Sequence, residues 1–170
     1  MINTKMNQKT KRIALLGICV SLAMLLSYIE HLLPPIWSAV PGIKIGLANI
    51  ITLFLLYKLG VPEAISVASI RVALSALLFG STVTLLYSAS GALLSIVVML
   101  LLKRIRAFSA VGVSIGGAVF HNIGQVLCAM LLLGTRELGY YAAVLTVTGT
   151  VSGIIVGISG ALLLERIKRI

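Results

Sequence analysis

Apolar runs of membrane-spanning length are the feature that most constrains this chain. They recur from residue 13 to residue 164 with only short breaks. Hydrophobic residues make up 59% of the 170 residues, and charged residues make up 11%. A soluble domain of this size could not hide that much apolar surface. The sequence therefore predicts an all-α, polytopic membrane protein with a single transmembrane domain.

Six spans fit these runs, and short connections between them predict an up-and-down helix bundle. Prolines and glycines mark several of the breaks, such as Pro34-Pro35 and Pro41-Gly42. The spans are residues 13–33, 43–57, 62–80, 82–102, 109–133 and 139–164. The second span is short: at about 1.5 Å per residue it does not reach across a ~30 Å hydrocarbon core. We expect it to be buried, tilted into a thinned region, or extended by the preceding loop.

The basic residues predict the orientation of the bundle. Of the fourteen Lys and Arg residues, eleven lie on one side of this arrangement, so the positive-inside rule places both termini in the cytoplasm. Residues 1–12 and 165–170 are then basic cytoplasmic tails of a transmembrane domain at residues 13–164. The clustering at helix ends also argues against nucleic acid as a partner, despite the net charge of +10. The eleven are Lys5, Lys9, Lys11, Arg12, Lys58, Lys103, Arg104, Arg106, Arg166, Lys168 and Arg169.

Polar side chains in the middle of two spans form the candidate ligand-binding site. Arg71 lies halfway along the third span, where an Arg costs about 2.5 to 3.5 kcal/mol even on lenient insertion scales. His121, Asn122 and Gln125 lie halfway along the fifth span, and their spacing projects them into an arc of about 100°. That arc can face one cavity. The alternative is a hydrogen-bond network that joins helices without binding a ligand.

Arg71 needs a counter-charge, and the chain offers few. It has four acidic residues and no Asp, and Glu30 is the one acid within a span. Arg71 therefore either pairs with Glu30 or, together with Lys44, presents positive charge to an anionic ligand. Asn49 lies about one and a half turns deeper than Lys44 and can orient the same ligand.

Small residues at four-residue spacing occur in three spans and let helix backbones approach closely. The first span has Gly17 and Ser21, and this pair either packs internally or docks another membrane subunit. In the fifth and sixth spans internal packing is the expected role. The stripe of the fifth span is Gly112 and Gly116, and that of the sixth span is Gly149, Gly153, Gly157 and Ala161.

Catalytic and metal-binding patterns are scarce. A chain without Asp cannot build the Asp-rich clusters that hold magnesium in soluble prenyl synthases, and its Glu residues are scattered. There is no Walker A loop and no His-Glu-x-x-His motif, and Cys19 and Cys128 both lie within spans. We expect no autonomous catalysis, no bound metal and no cofactor.

Residues 41–50 (Pro-Gly-Ile-Lys-Ile-Gly-Leu-Ala-Asn-Ile), Arg71, residues 114–125 and the Gly-rich last span carry a family resemblance. On these motifs the chain resembles the bacterial family known both as heptaprenyl diphosphate synthase component I and as Gx transporter. Its size and topology are also similar to the substrate-binding S components of energy-coupling factor (ECF) transporters. The resemblance implies a multi-pass protein of the bacterial cytoplasmic membrane.

The family's names imply different partners. As an S component, the chain would bind a small molecule and dock, through the small-residue face of its first helix, on a transmembrane subunit served by two ATPases. Gly17, Ser21 and Ala23 loosely match the docking motif of that helix. As a synthase component, it would be the non-catalytic partner of a prenyltransferase subunit. The family also resembles membrane components of extracellular electron-transfer systems, where the chain would act as a scaffold. In each case membrane lipid surrounds it.

The predicted orientation can be tested with two arginine positions on opposite sides. In a background without Cys19 and Cys128, a cysteine at position 136 should react with an impermeant thiol reagent added to intact cells. A cysteine at position 104 should react only after the membrane is opened. Labelling of position 104 from outside would reverse the orientation.

Overall fold

The computed structural model describes residues 4–32 and 46–167, and these residues are helical with short connections. The all-α class predicted from the sequence is confirmed. A single 3₁₀ turn, Glu137–Tyr140, precedes the last described helix. The helices are α1 (Thr4–Leu32), α2 (Asn49–Lys58), α3 (Val61–Phe79), α4 (Thr82–Arg104), α5 (Ala110–Leu133) and α6 (Tyr141–Arg166).

Five of the described helices, rather than the six predicted, are long and apolar enough to cross a membrane. The exception is α2, whose ten residues extend only about 15 Å. Residues 51–56 of α2 are all buried, so the bundle surrounds this helix. The predicted start of the second span, at residue 43, lies outside the described residues. Burial, one of the three outcomes expected for this short segment, is therefore the one observed.

The helix boundaries follow local backbone chemistry. The hydroxyls of Ser81 and Ser109 accept backbone N–H groups in the first turns of α4 and α5, which is the usual N-cap arrangement. Pro62 lies in the first turn of α3, where its missing N–H has no intrahelical partner to lose. Gly134 ends α5 in the left-handed conformation, with φ of 66°. Residues 4–12 of the basic segment continue the first helix, because α1 begins at Thr4.

Contacts between helix ends show how the chain runs through the bundle. Arg12 near the start of α1 pairs with Glu63 in the first turn of α3, so α1 and α3 run in the same direction. Lys103 Nζ near the end of α4 donates to the Leu56 carbonyl near the end of α2, at 2.5 Å. We call the end that holds these contacts the basic end. The opposite end, where α1 ends and α2 begins, is the distal end.

The glycines of the α6 stripe pack inside the bundle, as expected, and Gly116 of α5 lies against Leu102 of α4, whereas Gly112 has only Phe108 near it. A Cβ on Gly153 would lie 2.6 Å from Ile115 Cα, and a Cβ on Gly157 would lie 2.8 Å from Val111 Cα. These contacts make α6 antiparallel to α5 and bring the end of α6 to the basic end. Gly17 differs from them, because a Cβ there would meet no atom within 4 Å.

This difference gives a matched pair of substitutions. Gly153→Ala should lower the free energy of unfolding by about 1 to 3 kcal/mol, since the two helices must move apart to admit the methyl group. Gly17→Ala should be neutral or stabilising by up to about 1 kcal/mol, since Ala has the better helix propensity. Unfolding of purified protein in mixed micelles measures both. Equal effects of the two changes would contradict the packing described here.

Candidate functional site

A polar cavity lies in the distal half of the bundle, and all six helices contribute to its lining. Its volume is about 70 Å³, which is enough for roughly five water molecules. Hydrogen-bonding and charged side chains dominate the lining. They are Ser27, Glu30, His31, Asn49, Arg71, Ser75, Thr84, Ser88, His121, Asn122, Gln125 and Ser152.

The lining includes six of the side chains singled out from the sequence. Arg71 of α3 and the three residues of α5 meet there, together with Glu30 of α1 and Asn49 of α2. The remaining candidate, Lys44, lies outside the described residues. The sequence therefore identified side chains that the fold gathers from four different helices into one site.

Arg71 is half-buried, and its Nε atom is fully buried. No described residue accepts a hydrogen bond from this Nε. Glu30 interacts with Arg71 electrostatically, but the ion pair found between described residues joins Arg12 to Glu63 instead. The predicted pair of Arg71 and Glu30 is thus not a direct ion pair between described residues.

Glu30 is held at the cavity by the start of the segment that leads into α2. One of its carboxylate oxygens accepts the backbone N–H of Gly46. Gly46 has a positive φ of 75°, a conformation that glycine adopts without strain. The turn that begins at Gly46 leads directly into Asn49, the first residue of α2. The hydrogen bond between Glu30 and Gly46 therefore holds the Glu30 carboxylate at the cavity and sets where α2 enters the site.

The polar residues of α5 have separate roles. Asn122 is buried, and its Nδ2 donates to the Leu145 carbonyl of α6 at 2.8 Å. Gln125 and His121 lie about one helical turn apart, and their Nε2 atoms form a hydrogen bond of 3.2 Å. The interhelical role that the sequence left open thus applies to Asn122. His121 and Gln125 pair with each other at the cavity wall.

Close contact between α4 and α5 sets the position of that pair. A Cβ on Gly91 would lie 2.8 Å from the His121 carbonyl oxygen and 2.9 Å from Gln125 Cγ. Ser90 Oγ also donates to the Gly124 carbonyl at 3.1 Å. The sequence analysis did not single out Gly91. The pattern that could have identified Gly91 is the spacing of the small residues Ser88, Gly91 and Ser95, which places all three on one face of α4.

A family model described as heptaprenyl diphosphate synthase component I matches residues 19–163. The chain belongs to this family. No curated protein and no solved structure matches the chain. The matched range contains every described residue that lines the cavity. The family resemblance noted in the sequence is confirmed, and the likeness to ECF S components stays a prediction.

Several hydroxyls that line the cavity of this component I protein were also missed. Ser27, Ser75 and Thr84 each lie four residues from another polar lining residue on the same helix. Four-residue spacing of polar side chains in an apolar helix marks one face, and this pattern could have found them. Ser27 Oγ is buried and, among the described residues, has no hydrogen-bond partner.

Aromatic rings lie at the distal rim of the cavity. The His31 ring stacks on Phe79 with centroids 5.6 Å apart, and the Tyr28 ring lies 5.3 Å from the same Phe79. His31 and Phe79 line the cavity directly. The ends of α1 and α3 are therefore joined at the rim by ring contacts.

The predicted docking residues of the first helix do not share one face. Gly17 and Ser21 are both exposed, and Ser21 Oγ donates to the Gly17 carbonyl at 3.0 Å. Ala23 is only 1% exposed and packs in the core on the other side of α1. Ala23 therefore does not share the exposed face of Gly17 and Ser21, because six residues along a helix turn its side chain away from Gly17. Docking through the first helix stays a prediction.

Residues 112–116 of the component I protein match the Gly-x-Ser-x-Gly pattern of serine hydrolases. They lie within the continuous helix α5, whereas a nucleophile elbow needs a sharp turn from strand to helix. Ser114 is buried. Within residues 4–32 and 46–167, no group of three or more His, Cys, Asp or Glu side chains could hold a metal ion.

The roles assigned to Arg71 and Asn122 predict different stability effects. Arg71→Met should not lower the free energy of unfolding by more than about 1 kcal/mol, since no direct ion pair is lost, whereas loss of one partner of a buried ion pair costs about 3 to 5 kcal/mol. Asn122→Ala should cost about 1 to 3 kcal/mol, because the bond to α6 is lost. Unfolding in mixed micelles checks both. A large loss in Arg71→Met that Glu30→Gln restores would show a structural pair instead.

Proposed function

We propose that this component I family protein is the substrate-binding membrane component of a small-molecule transporter. Its ligand carries an anionic or strongly hydrogen-bonding group. The observation that carries the proposal is Arg71, which lines a polar cavity and whose buried Nε has no described acceptor. Burying a cationic donor without a partner is costly. A ligand that supplies an acceptor therefore gains more binding free energy here than at a site whose donors already have acceptors.

The position of the cavity fits uptake from outside the cell. It lies in the distal half, away from the basic end that holds Arg12 and Lys103. The positive-inside rule assigns the basic end to the cytoplasm. Under that assignment the cavity faces the side from which an imported molecule arrives.

Each polar residue has a role in this proposal. Arg71 is the charge partner of the ligand, and its planar guanidinium can donate two parallel hydrogen bonds to one acidic group. Asn49, His121 and Gln125 orient the ligand from α2 and α5. Asn122 sets the position of α6 through Leu145. Lys44, outside the described residues, is proposed as a second cation for the same ligand.

The partners follow from the type of transporter. Like an ECF S component, the chain would associate with a transmembrane subunit and two ATPases. The face of α1 with Gly17 and Ser21 supports such docking, since a helix backbone can approach Gly17 without meeting another atom of this chain. The native setting of this complex would be the bacterial cytoplasmic membrane.

The second candidate function is a non-catalytic accessory role in heptaprenyl diphosphate synthesis. The description of the family favours it, and its partner would be a catalytic prenyltransferase subunit. That role calls for a long apolar groove that reaches the basic end and holds a prenyl chain. The small polar cavity at the distal end supports the transporter instead. A scaffold for extracellular electron transfer would need no such cavity.

Native mass spectrometry tests ligand binding directly. Protein extracted gently from its own membrane should carry a small molecule, and Arg71→Met should lose it while remaining folded. Gln125→Ala should weaken retention by about 1 to 3 kcal/mol, the usual effect of leaving a buried polar group unsatisfied. A bound small molecule retained equally by all three proteins would move the site elsewhere.

Copurification tests the docking face with a matched pair of variants. Gly17→Leu should abolish association with the ATPases and their transmembrane subunit, because the larger side chain keeps the helices apart. Gly17→Ala should preserve it. Copurification with a prenyltransferase subunit, and with no ATPase, would favour the second candidate function.

A further inference from the structure

We propose that the loop between α4 and α5 binds the headgroup of an anionic phospholipid. The loop lies at the basic end of the bundle, away from the polar cavity. The proposal is therefore independent of the ligand of that cavity. The residues that carry it are Arg104, Ile105, Arg106 and Phe108.

The first argument is the charge of the basic end. Glu63 is paired with Arg12 there, and Glu165, exposed in the last turn of α6, is the other acid of this end within the described residues. The cations clearly outnumber these acids. A surface of this charge attracts the phosphate groups of anionic lipids. The described cations are Lys9, Lys11, Arg12, Lys58, Lys103, Arg104, Arg106 and Arg166.

Two of these cations are available to an outside anion, whereas a third is already used by the fold. Lys103 Nζ donates to the Leu56 carbonyl and lies over the Tyr57 ring, so Lys103 closes the end of α2. Arg104 and Arg106 are exposed, and neither takes part in an ion pair within residues 4–32 and 46–167. A guanidinium group can donate two parallel hydrogen bonds to one phosphate.

The second argument is the apolar surface that leads to these arginines. Leu93, Val97 and Leu101 are exposed on α4 and, together with Arg104, lie within an arc of about 80° around that helix. An exposed apolar stripe therefore ends at an exposed cation. At the end of a helix that crosses a membrane, acyl chains lie beside such a stripe and phosphates lie beside such a cation.

Ile105 and Phe108 extend the apolar surface into the loop, where their side chains are 49% and 43% exposed. The Phe108 ring lies over Gly112, since a Cβ there would come within 3.1 Å of Phe108 Cδ1. The loop thus presents apolar side chains and arginines next to each other. Because a bilayer surface offers hydrocarbon and phosphate at adjacent levels, we assign this loop to lipid rather than to an acidic segment of a protein.

Lipid retention in native mass spectrometry tests the assignment. We would measure the full chain in mixed micelles with dioleoylphosphatidylglycerol or dioleoylphosphatidylcholine, which share their acyl chains and differ in net charge. Wild type should retain phosphatidylglycerol at least about fivefold more strongly, since one basic residue near an anionic surface contributes about that factor. Equal retention of the two lipids would overturn the proposal. Displacement of phosphatidylglycerol by an equal concentration of inorganic phosphate would also overturn it, because free phosphate lacks the acyl chains.

Matched substitutions locate the site. Arg104→Gln combined with Arg106→Gln should weaken retention of phosphatidylglycerol by about twenty-five-fold and leave phosphatidylcholine unchanged. This variant should unfold at the temperature of the wild type, because neither arginine has an ion pair to lose. Arg136→Gln, at an exposed arginine of the distal end, is the control and should change neither lipid. Unchanged retention in the double variant, or equal loss in Arg136→Gln, would overturn the proposal.

A second pair of variants tests the apolar part and covers the case in which the first does not fold. Ile105→Ser combined with Phe108→Ser keeps the charge and should weaken retention of both lipids, because both have the same acyl chains. Unchanged retention of both would overturn the assignment to lipid. So would a copurifying protein that the double arginine variant loses while it retains phosphatidylglycerol as wild type does.

Discussion

The buried guanidinium of Arg71 is the interaction on which the rest of the site depends. An arginine in the middle of an apolar helix is expensive, and no residue within 4–32 and 46–167 neutralises it with a direct ion pair. Instead the bundle leaves a polar cavity around it, with Glu30 and amides on α5 in its lining. The free energy that packing gains elsewhere must offset this charge. A residue kept at such cost is best explained by the ligand that it would bind.

Packing at the basic end and between α4, α5 and α6 supports the cavity. The short helix α2 fills the core with residues 51–56, and Lys103 caps its last turn while lying 4.8 Å from the centre of the Tyr57 ring. Glycines such as Gly91 and Gly153 bring α4, α5 and α6 into close contact. These tight contacts make the distal half a defined space rather than a loose gap.

The sequence predicted which polar side chains line the cavity better than it predicted the number of helices long enough to cross a membrane. Polar groups within apolar spans stand out because hydrocarbon penalises them, and this is why Arg71 and His121 were found. The number of spans was harder to predict, because the apolar residues of α2 are buried against protein and do not face lipid. The separate role of Asn122 depends on where the Leu145 carbonyl lies on α6. Ala23 lies in the core, away from the exposed face of Gly17 and Ser21, and a match of residue types alone does not show this rotation.

The most direct test of this account is an experimental density map of the protein isolated from its own membrane, at a resolution that shows side chains. We expect density that belongs to no protein atom in the distal cavity, within hydrogen-bonding distance of the Arg71 guanidinium. A direct ion pair of Arg71 with Glu30 or another side chain, in a cavity closed by the packing of α1 against α5, would contradict the account.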